Sequence, residues 1–170
     1  MPKRLLVTRH AKSSWKSGSM TDHERPLNGR GRRDAPRVAA HIVGLGWSPE
    51  FVISSDSQRT RETLALMAEV FEPEPRIEFT RDLYLAGPSD VQAALARVPD
   101  SVETVMVLGH NEGWEDVVTW LSGCSERLTT ANAALLSWRP AAGGPESWSA
   151  ALADAPGWTL HQVVRPKELS

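Results

Sequence analysis

Residues 5–10 have the sequence LLVTRH, an apolar run that ends in two basic side chains. The apolar part does not alternate with polar residues, which is typical of a strand buried on both faces of a parallel sheet. Two further runs of this kind cover 51–53 and 105–108, and a weaker one covers 77–79. These four segments predict the strands of a mostly parallel central sheet.

Apolar residues at helical spacing lie between the predicted strands. The four helical segments cover 38–45, 64–71, 91–98 and 114–121. The alternation of strands and helices predicts an α/β fold, in which helices flank a central sheet in three layers. The sequence shows no internal repeat and no domain boundary, so we expect a single domain over residues 1–170.

The last quarter of the chain follows a different pattern. Residues 133–138 and 158–164 predict two strands on either side of a Gly- and Pro-rich loop at 140–147. Within this region, residues 148–152 predict a further strand. The sheet is therefore expected to continue past its parallel part.

The composition excludes several classes of protein. The chain has one cysteine, which rules out an internal disulfide framework and an all-cysteine zinc site. Its net charge of −2 and pI of about 6.2 argue against nucleic acid as the main partner. No apolar run approaches the roughly 20 residues of a membrane span. Because the first residues also lack the apolar core of a secretory signal, we expect a cytoplasmic protein without a membrane partner.

Basic side chains follow each of the three strong strands. Arg9 and His10 follow the first, Arg59 lies just beyond the second, and His110 follows the fourth segment. In open α/β sheets, ligands bind beyond the carboxyl ends of the strands. Arginine offers forked donors to phosphoryl oxygens, and a neutral imidazole can attack phosphorus. The four residues together predict a phosphoryl site.

Each of these residues taken alone has a structural explanation. His10 could cap a strand end, Arg59 could be a surface residue, and His110 could be a packed loop histidine. Arg59 lies in the first turn of a predicted helix, where a cation opposes the helix dipole by about 0.3–1 kcal/mol. A bound phosphate would remove that conflict. The combination of the three positions therefore favours the phosphoryl site over the separate explanations.

Ordered blocks of the sequence resemble the histidine phosphatase superfamily, the phosphoglycerate-mutase-like group, and within it the SixA-type phosphohistidine phosphatases. The blocks are LVTRHAKSSW at 6–15, DHERPL at 22–27, SSDSQRTRET at 54–63, DLYLA at 82–86 and LGHNE at 108–112. Two departures from the pattern are Ala11, where glycine is usual, and Asp56, where proline is common. The resemblance implies a phosphoglycerate-mutase-like fold and a phosphatase that needs neither metal nor cofactor.

The resemblance also implies roles for individual residues. His10 corresponds to the nucleophile that takes the phosphoryl group, and Arg9 and Arg59 correspond to its clamps. His110 corresponds to the fourth member of the pocket. Three further residues are expected at the substrate: Arg25, Ser13 and Asn111. Of these, Asn111 would orient His110.

A proton donor for the leaving group is the part of the pattern that the sequence lacks. Many superfamily members carry a glutamate after the third strand, but the stretch at 82–87 has no carboxylate at the corresponding place. Asp82 is the nearest substitute for a general acid, and Asp22 and Glu112 are the next candidates. A missing acid slows the hydrolysis of alkyl esters by about 10²- to 10⁴-fold. Phosphohistidine suffers less, because its leaving nitrogen can be protonated before attack.

The expected partner is therefore a phosphorylated protein. A small phosphorylated molecule, handled by a metabolite phosphatase or a mutase, is the first alternative. The second alternative is a non-catalytic module that recognises phosphate without hydrolysing it. A metal-dependent hydrolase has little support, since the five histidines show no helical ligand spacing.

Overall fold

Six strands form one sheet in the computed structural model, which describes residues 2–15 and 20–169. The strands are β1 Lys3–Arg9, β2 Phe51–Ser55, β3 Arg76–Thr80, β4 Thr104–Gly109, β5 Ala133–Trp138 and β6 Thr159–Val164. Their order across the sheet is β3-β2-β4-β1-β5-β6. The first four strands are mutually parallel, whereas β5 and β6 run antiparallel to their neighbours. The predicted α/β fold with a mostly parallel sheet is confirmed.

Helices cover both faces of this sheet. They are α1 Gly29–Gly44, α2 Gln58–Ala68, α3 Pro88–Leu95, α4 Gly113–Ser122 and α5 Trp148–Ala153, with short 3-10 turns at Asp22–Glu24, Arg81–Leu83 and Pro166–Glu168. The helices α1 and α2 pack on one face, and α3, α4 and α5 pack on the other. The three-layer arrangement is therefore as predicted. The two ends of the predicted domain, Met1 and Ser170, lie outside the described residues.

The central strands have the burial that their composition predicts. Successive residues of β1 pack into opposite cores, with Leu5 and Val7 on the side of α4 and Leu6 on the side of α1. Every residue of β2 and β4 is buried, whereas the edge strand β3 is mostly half-buried or exposed. Lack of alternation thus marks the strands that are covered on both faces.

The prediction of a strand at 148–152 is wrong, because this segment forms α5. Ser147 caps the helix by accepting a hydrogen bond from the backbone N–H of Ala150. Trp148, Ala151 and Leu152 are buried at positions i, i+3 and i+4, which is the spacing of one helix face. The short run of apolar residues did not distinguish this period from that of a strand.

None of the helices in the described ranges is both long and apolar enough to cross a bilayer.

The beginning of α1 packs directly against the loop that follows β1. Asn28 caps the helix, and its own backbone N–H donates to the carbonyl oxygen of Lys12 at 3.0 Å. At Gly31, a Cβ atom would overlap the same carbonyl oxygen. The close approach of the two backbones therefore requires glycine at position 31. The backbone that it contacts, at Lys12, lies two residues after His10.

We expect Gly31→Ala to lower the free energy of unfolding by about 1–3 kcal/mol, because the added methyl group must displace the Lys12 backbone. Gly44→Ala is a matched control in the same helix, since a Cβ there meets nothing within 4 Å. It should be neutral or stabilise by up to about 1 kcal/mol. Urea unfolding measures both changes, and equal stabilities of the two variants would contradict the packing described.

Candidate active site

Three strand ends bring three basic side chains together. His10 follows β1, His110 follows β4, and Arg59 lies in the first turn of α2. The guanidinium of Arg59 lies between the two imidazoles, with its Nε 3.3 Å from Nε2 of His10 and its Nη2 3.1 Å from Nδ1 of His110. The two imidazole centroids are 5.3 Å apart. All three side chains are buried.

The hydrogen bonds of His10 determine which of its ring nitrogens carries the proton. Its Nδ1 is 2.7 Å from the carbonyl oxygen of Ala11, which can only accept, so Nδ1 donates. The lone pair therefore lies on Nε2, on the side of Arg59. Burial lowers the pKa of His10 well below 6.5, and the charges of Arg59 and Arg9 add to that effect. His10 is thus a neutral imidazole with its free nitrogen facing the cluster.

The second histidine, His110, is also neutral. A guanidinium can only donate, so Nδ1 of His110 accepts from Arg59 and its Nε2 donates to Oγ of Ser55 at 2.9 Å. Burial lowers the pKa of His110 to about 3, and the charge of Arg59 acts in the same direction. The sequence left this protonation state open.

Arg9 extends from the end of β1 with one donor engaged and another free. Its Nη1 donates to the carbonyl oxygen of Leu128 at 3.0 Å. Its Nε is buried and has no hydrogen-bond partner within residues 2–15 and 20–169. Because a buried donor without a partner is unfavourable, an anion bound beside Arg9 would gain this N–H group.

A carboxylate that the sequence analysis placed behind Asp82 as a candidate acid lies against this cluster. Asp22, in the first 3-10 turn, accepts from Nη2 of Arg59 at 3.0 Å and from Nε of Arg25 at 3.2 Å. Burial alone would raise the pKa of Asp22, but hydrogen bonds from Tyr84 and Arg59 outweigh it and lower the pKa to about 2. Asp22 is therefore ionised at neutral pH.

Tyr84 is a residue of the site that sequence reasoning missed. Its hydroxyl donates to Oδ2 of Asp22 at 2.5 Å, and its ring packs edge-on against His110 at 5.4 Å between centroids. The sequence contained a signal, because Tyr84 is the single tyrosine and lies in the block at 82–86 that carries part of the resemblance. The expected acid directed attention to Asp82 of that block instead.

Arg25 and Ser13, both predicted to contact substrate, are brought to the same site. Nη1 of Arg25 donates to Oγ of Ser13 at 2.6 Å. The guanidinium also stacks on the ring of Trp15, with its central carbon 3.4 Å from the ring centroid. Trp15 is 74% exposed and lies at the edge of the site.

Asp82 and Asn111 are not arranged as predicted. Asp82 is exposed, and in the described part of the chain no hydrogen bond or ion pair joins its carboxylate to the cluster. The amide nitrogen of Asn111 donates to Glu115 and to the carbonyl of Leu128, and its buried Oδ1 has no partner in the described part of the chain. The orientation of His110 is instead fixed by Arg59 and Ser55, contrary to the role expected for Asn111.

No set of ligands for a metal ion is found within residues 2–15 and 20–169. No three histidine, cysteine, aspartate or glutamate side chains there lie close enough to hold one. The cluster has instead the donor-rich character that suits a tetrahedral oxyanion.

Comparison with known proteins identifies relatives of the chain. The family model of the histidine phosphatase superfamily (branch 1) matches residues 5–83. An uncharacterized chloroplastic protein of Arabidopsis thaliana is 40% identical over 174 residues, which cover 96% of this chain and 78% of the relative.

Solved structures with a similar fold cover nearly the whole chain. A protein proposed as the phosphohistidine phosphatase SixA of Nakamurella multipartitia has a TM-score of 0.81 and 26% identity, covering 98% of this chain and 97% of its own. The protein histidine phosphatase SixA in complex with tungstate has a TM-score of 0.77, with 96% and 97% of the two chains covered. Its 19% identity supports similarity of fold alone.

We expect the folded protein to lose stability as the pH falls below 6.5, because the unfolded chain then takes up a proton that the buried His110 does not. With a native pKa of about 3, His110 should contribute a loss of about 2 kcal/mol between pH 7 and pH 5. His10 acts in the same direction. Urea titrations at the two pH values measure the loss.

The His110→Asn variant should show a smaller loss over this pH range, by about the 2 kcal/mol assigned to the imidazole. His41→Gln, at an exposed histidine, should keep the pH dependence of the wild type. If wild type and His110→Asn lose stability equally, His110 is not a buried neutral imidazole.

Proposed function

Because the chain belongs to the histidine phosphatase superfamily, we propose that it hydrolyses phosphohistidine in proteins through a phosphorylated intermediate on His10. In this proposal no metal ion takes part. Arg9 and Arg59 contact the phosphoryl oxygens, His110 accepts from Arg59 and orients its guanidinium, and Arg25 with Ser13 lies at the entrance. The cytoplasmic location stays a prediction, and the Arabidopsis thaliana relative is chloroplastic by name.

The observation that carries the proposal is the state of His10. Its Nε2 lone pair faces the guanidinium of Arg59, while Nδ1 is held by the carbonyl of Ala11. In the first step Nε2 attacks phosphorus, the bond to the leaving group breaks, and its electron pair goes to the leaving atom. The Nε–H group of Arg59, which donates to the lone pair of His10 before the reaction, then donates its hydrogen bond to a phosphoryl oxygen instead. There it stabilises the charge of the transition state.

The second step returns His10 to its starting state. A water molecule attacks phosphorus opposite Nε2, the N–P bond breaks, and the electron pair returns to the imidazole. Inorganic phosphate leaves with the protons of the water molecule. The buried Nε of Arg9, which has no partner among the residues that the structure describes, is suited to hold the phosphoryl group through both steps.

The choice of phosphohistidine over phosphate esters rests on the absence of a proton donor at the expected place. Asp82 is exposed and is not placed to reach an alkoxide leaving group. Asp22 has a pKa of about 2, so at neutral pH it has no proton to give to one. An alkoxide leaving group requires such a proton, whereas the nitrogen of phosphohistidine does not.

The surroundings of the site support a protein substrate over a small one. Large exposed apolar side chains lie beside three residues of the site, one stacked on Arg25 and two close in the sequence to Asp22 and Tyr84. They are Trp15, Met20 and Leu85, which are 74%, 43% and 59% exposed. Exposed apolar groups that border a polar site are typical of a protein–protein contact.

We expect His10→Ala to lower kcat for both p-nitrophenyl phosphate and a phosphohistidine peptide by more than about 10³-fold, because no other group forms the intermediate. His41→Ala, at an exposed histidine remote from the strand ends, should keep wild-type activity. Rapid neutral quenching and mass spectrometry should place the phosphoryl group on His10. A phosphoryl group on another residue, or equal rates for His10→Ala and wild type, would refute the proposed function.

We expect Leu85→Asn to lower kcat/KM for a phosphohistidine protein by about tenfold, since an exposed apolar contact is lost. Asparagine suits the positive φ of 51° at this position, so the backbone is retained. With p-nitrophenyl phosphate the variant should match the wild type. Phe79→Ala, at an apolar residue covered by Arg61, is the control for general surface changes. Equal losses on both substrates would indicate damage to the site rather than to protein contact.

A further inference from the structure

Asp22 occupies an unusual place for a carboxylate, because it pairs with the arginines that would bind a phosphoryl group. Its Oδ2 lies 3.0 Å from Nη2 of Arg59 and accepts from Tyr84, and its Oδ1 lies 3.2 Å from Arg25. In the described residues it is the one carboxylate that forms an ion pair with Arg59 or Arg25. A fixed negative charge is thus part of the cationic cluster.

The segment that carries Asp22 is held in place on both sides. Nη1 of Arg59 donates to the backbone oxygen of Asp22 at 2.7 Å. The next residue, His23, contacts Oδ1 of Asp56 at 2.7 Å, and Arg81 donates to the same carboxylate. Asp56 is one of the two departures from the family pattern. These contacts restrain the turn, so Asp22 is not free to move away from an incoming anion.

A carboxylate at this place has opposite effects on two kinds of substrate. Ionised Asp22 repels the phosphoryl group, whose charge has the same sign. It attracts a leaving group that carries a positive charge and an N–H donor, and the imidazolium of protonated phosphohistidine is such a group. A phosphate ester offers only an ether oxygen on that side. The repulsion between Asp22 and the phosphoryl group is therefore offset for phosphohistidine and not for a phosphate ester.

We propose that Asp22 is a specificity-determining residue, which selects phosphoramidates with a protonated nitrogen leaving group and disfavours phosphate esters. The inference rests on the proposed function, because it concerns the substrate of the same site. It assigns to Asp22 the opposite of a general acid's role, since Asp22 accepts a hydrogen bond and donates no proton.

The proton balance of the first step agrees with an ionised Asp22. Nε2 of His10 bonds to phosphorus, the P–N bond of the substrate breaks, and the electron pair stays on the leaving nitrogen. The leaving imidazole already carries a proton on its other nitrogen, so it departs as a neutral molecule. The hydrogen bond from that N–H to Asp22 holds the substrate as a cation until the P–N bond breaks.

The test compares Asp22→Asn with Glu24→Gln, a substitution in the same 3-10 turn that also removes one negative charge. Glu24 bonds Thr21 rather than the cluster, and glutamine can keep that contact. Three readouts are measured: kcat/KM for a phosphohistidine peptide, kcat/KM for p-nitrophenyl phosphate, and the Kd of tungstate by calorimetry. Tungstate is a tetrahedral oxyanion with no leaving group, so its binding requires no turnover.

For Asp22→Asn we expect kcat/KM for the phosphohistidine peptide to fall by about tenfold or more. Tenfold is the low end of the effects that a neighbouring charge produces, because the side chain of Asp22 is half-exposed. The value for p-nitrophenyl phosphate should rise severalfold, and tungstate should bind about tenfold more tightly as the repulsion is removed. Glu24→Gln should leave all three values as in wild type.

The outcomes that overturn the inference are distinct from failure of the proposed function. A fall of both kcat/KM values, or a larger fall for the ester, would make Asp22 a structural residue or a general acid. An unchanged tungstate Kd would remove the charge effect itself. If wild type hydrolyses neither substrate, the proposed function fails, and the inference fails with it. Hydrolysis with an unchanged ratio in Asp22→Asn refutes the inference alone.

Discussion

Arg59 is only 2% exposed, so the N–H groups of its guanidinium must find partners inside the protein. Its Nε donates to His10, its Nη2 to His110 and Asp22, and its Nη1 to the backbone oxygen of Asp22. Since a guanidinium has no acceptor, each of these contacts determines which atom of the partner is unprotonated. One buried side chain therefore sets the tautomers of two histidines and the position of a carboxylate.

The place of Arg59 in the fold explains how it reaches all three partners. Ser57 caps α2 and accepts from the backbone N–H of Thr60, which starts the helix just beyond the end of β2. A cation in a first turn is unfavourable with respect to the helix dipole. Asp22, ionised and 3.0 Å away, offsets this cost from a segment distant in the sequence. The strand order β2-β4-β1 then brings His110 and His10 to the same edge.

Much of the fold could be predicted from local patterns in the sequence. Most of the features that these patterns did not predict depend on contacts between distant segments. The continuous apolar runs of β1, β2 and β4 predicted buried parallel strands, and their polar ends indicated where His10, Arg59 and His110 would meet. The pairing of Tyr84 with Asp22 joins residues 62 positions apart, and no local pattern encodes it. The search for a carboxylate after β3 therefore led to Asp82, which is exposed. At 148–152 the pattern was too short to separate a helix from a strand.

The hydrogen bond between Nδ1 of His10 and the carbonyl of Ala11 determines which ring nitrogen is open to phosphorus. The backbone oxygen occupies one nitrogen of the ring, so phosphorus can approach only the other. In the proposed reaction, phosphorylation of His10 must then yield the 3-phosphohistidine regioisomer, with the phosphoryl group on the tele nitrogen. Antibodies that distinguish the two isomers would detect this chain in that form alone, whichever isomer a phosphorylated protein presented to it.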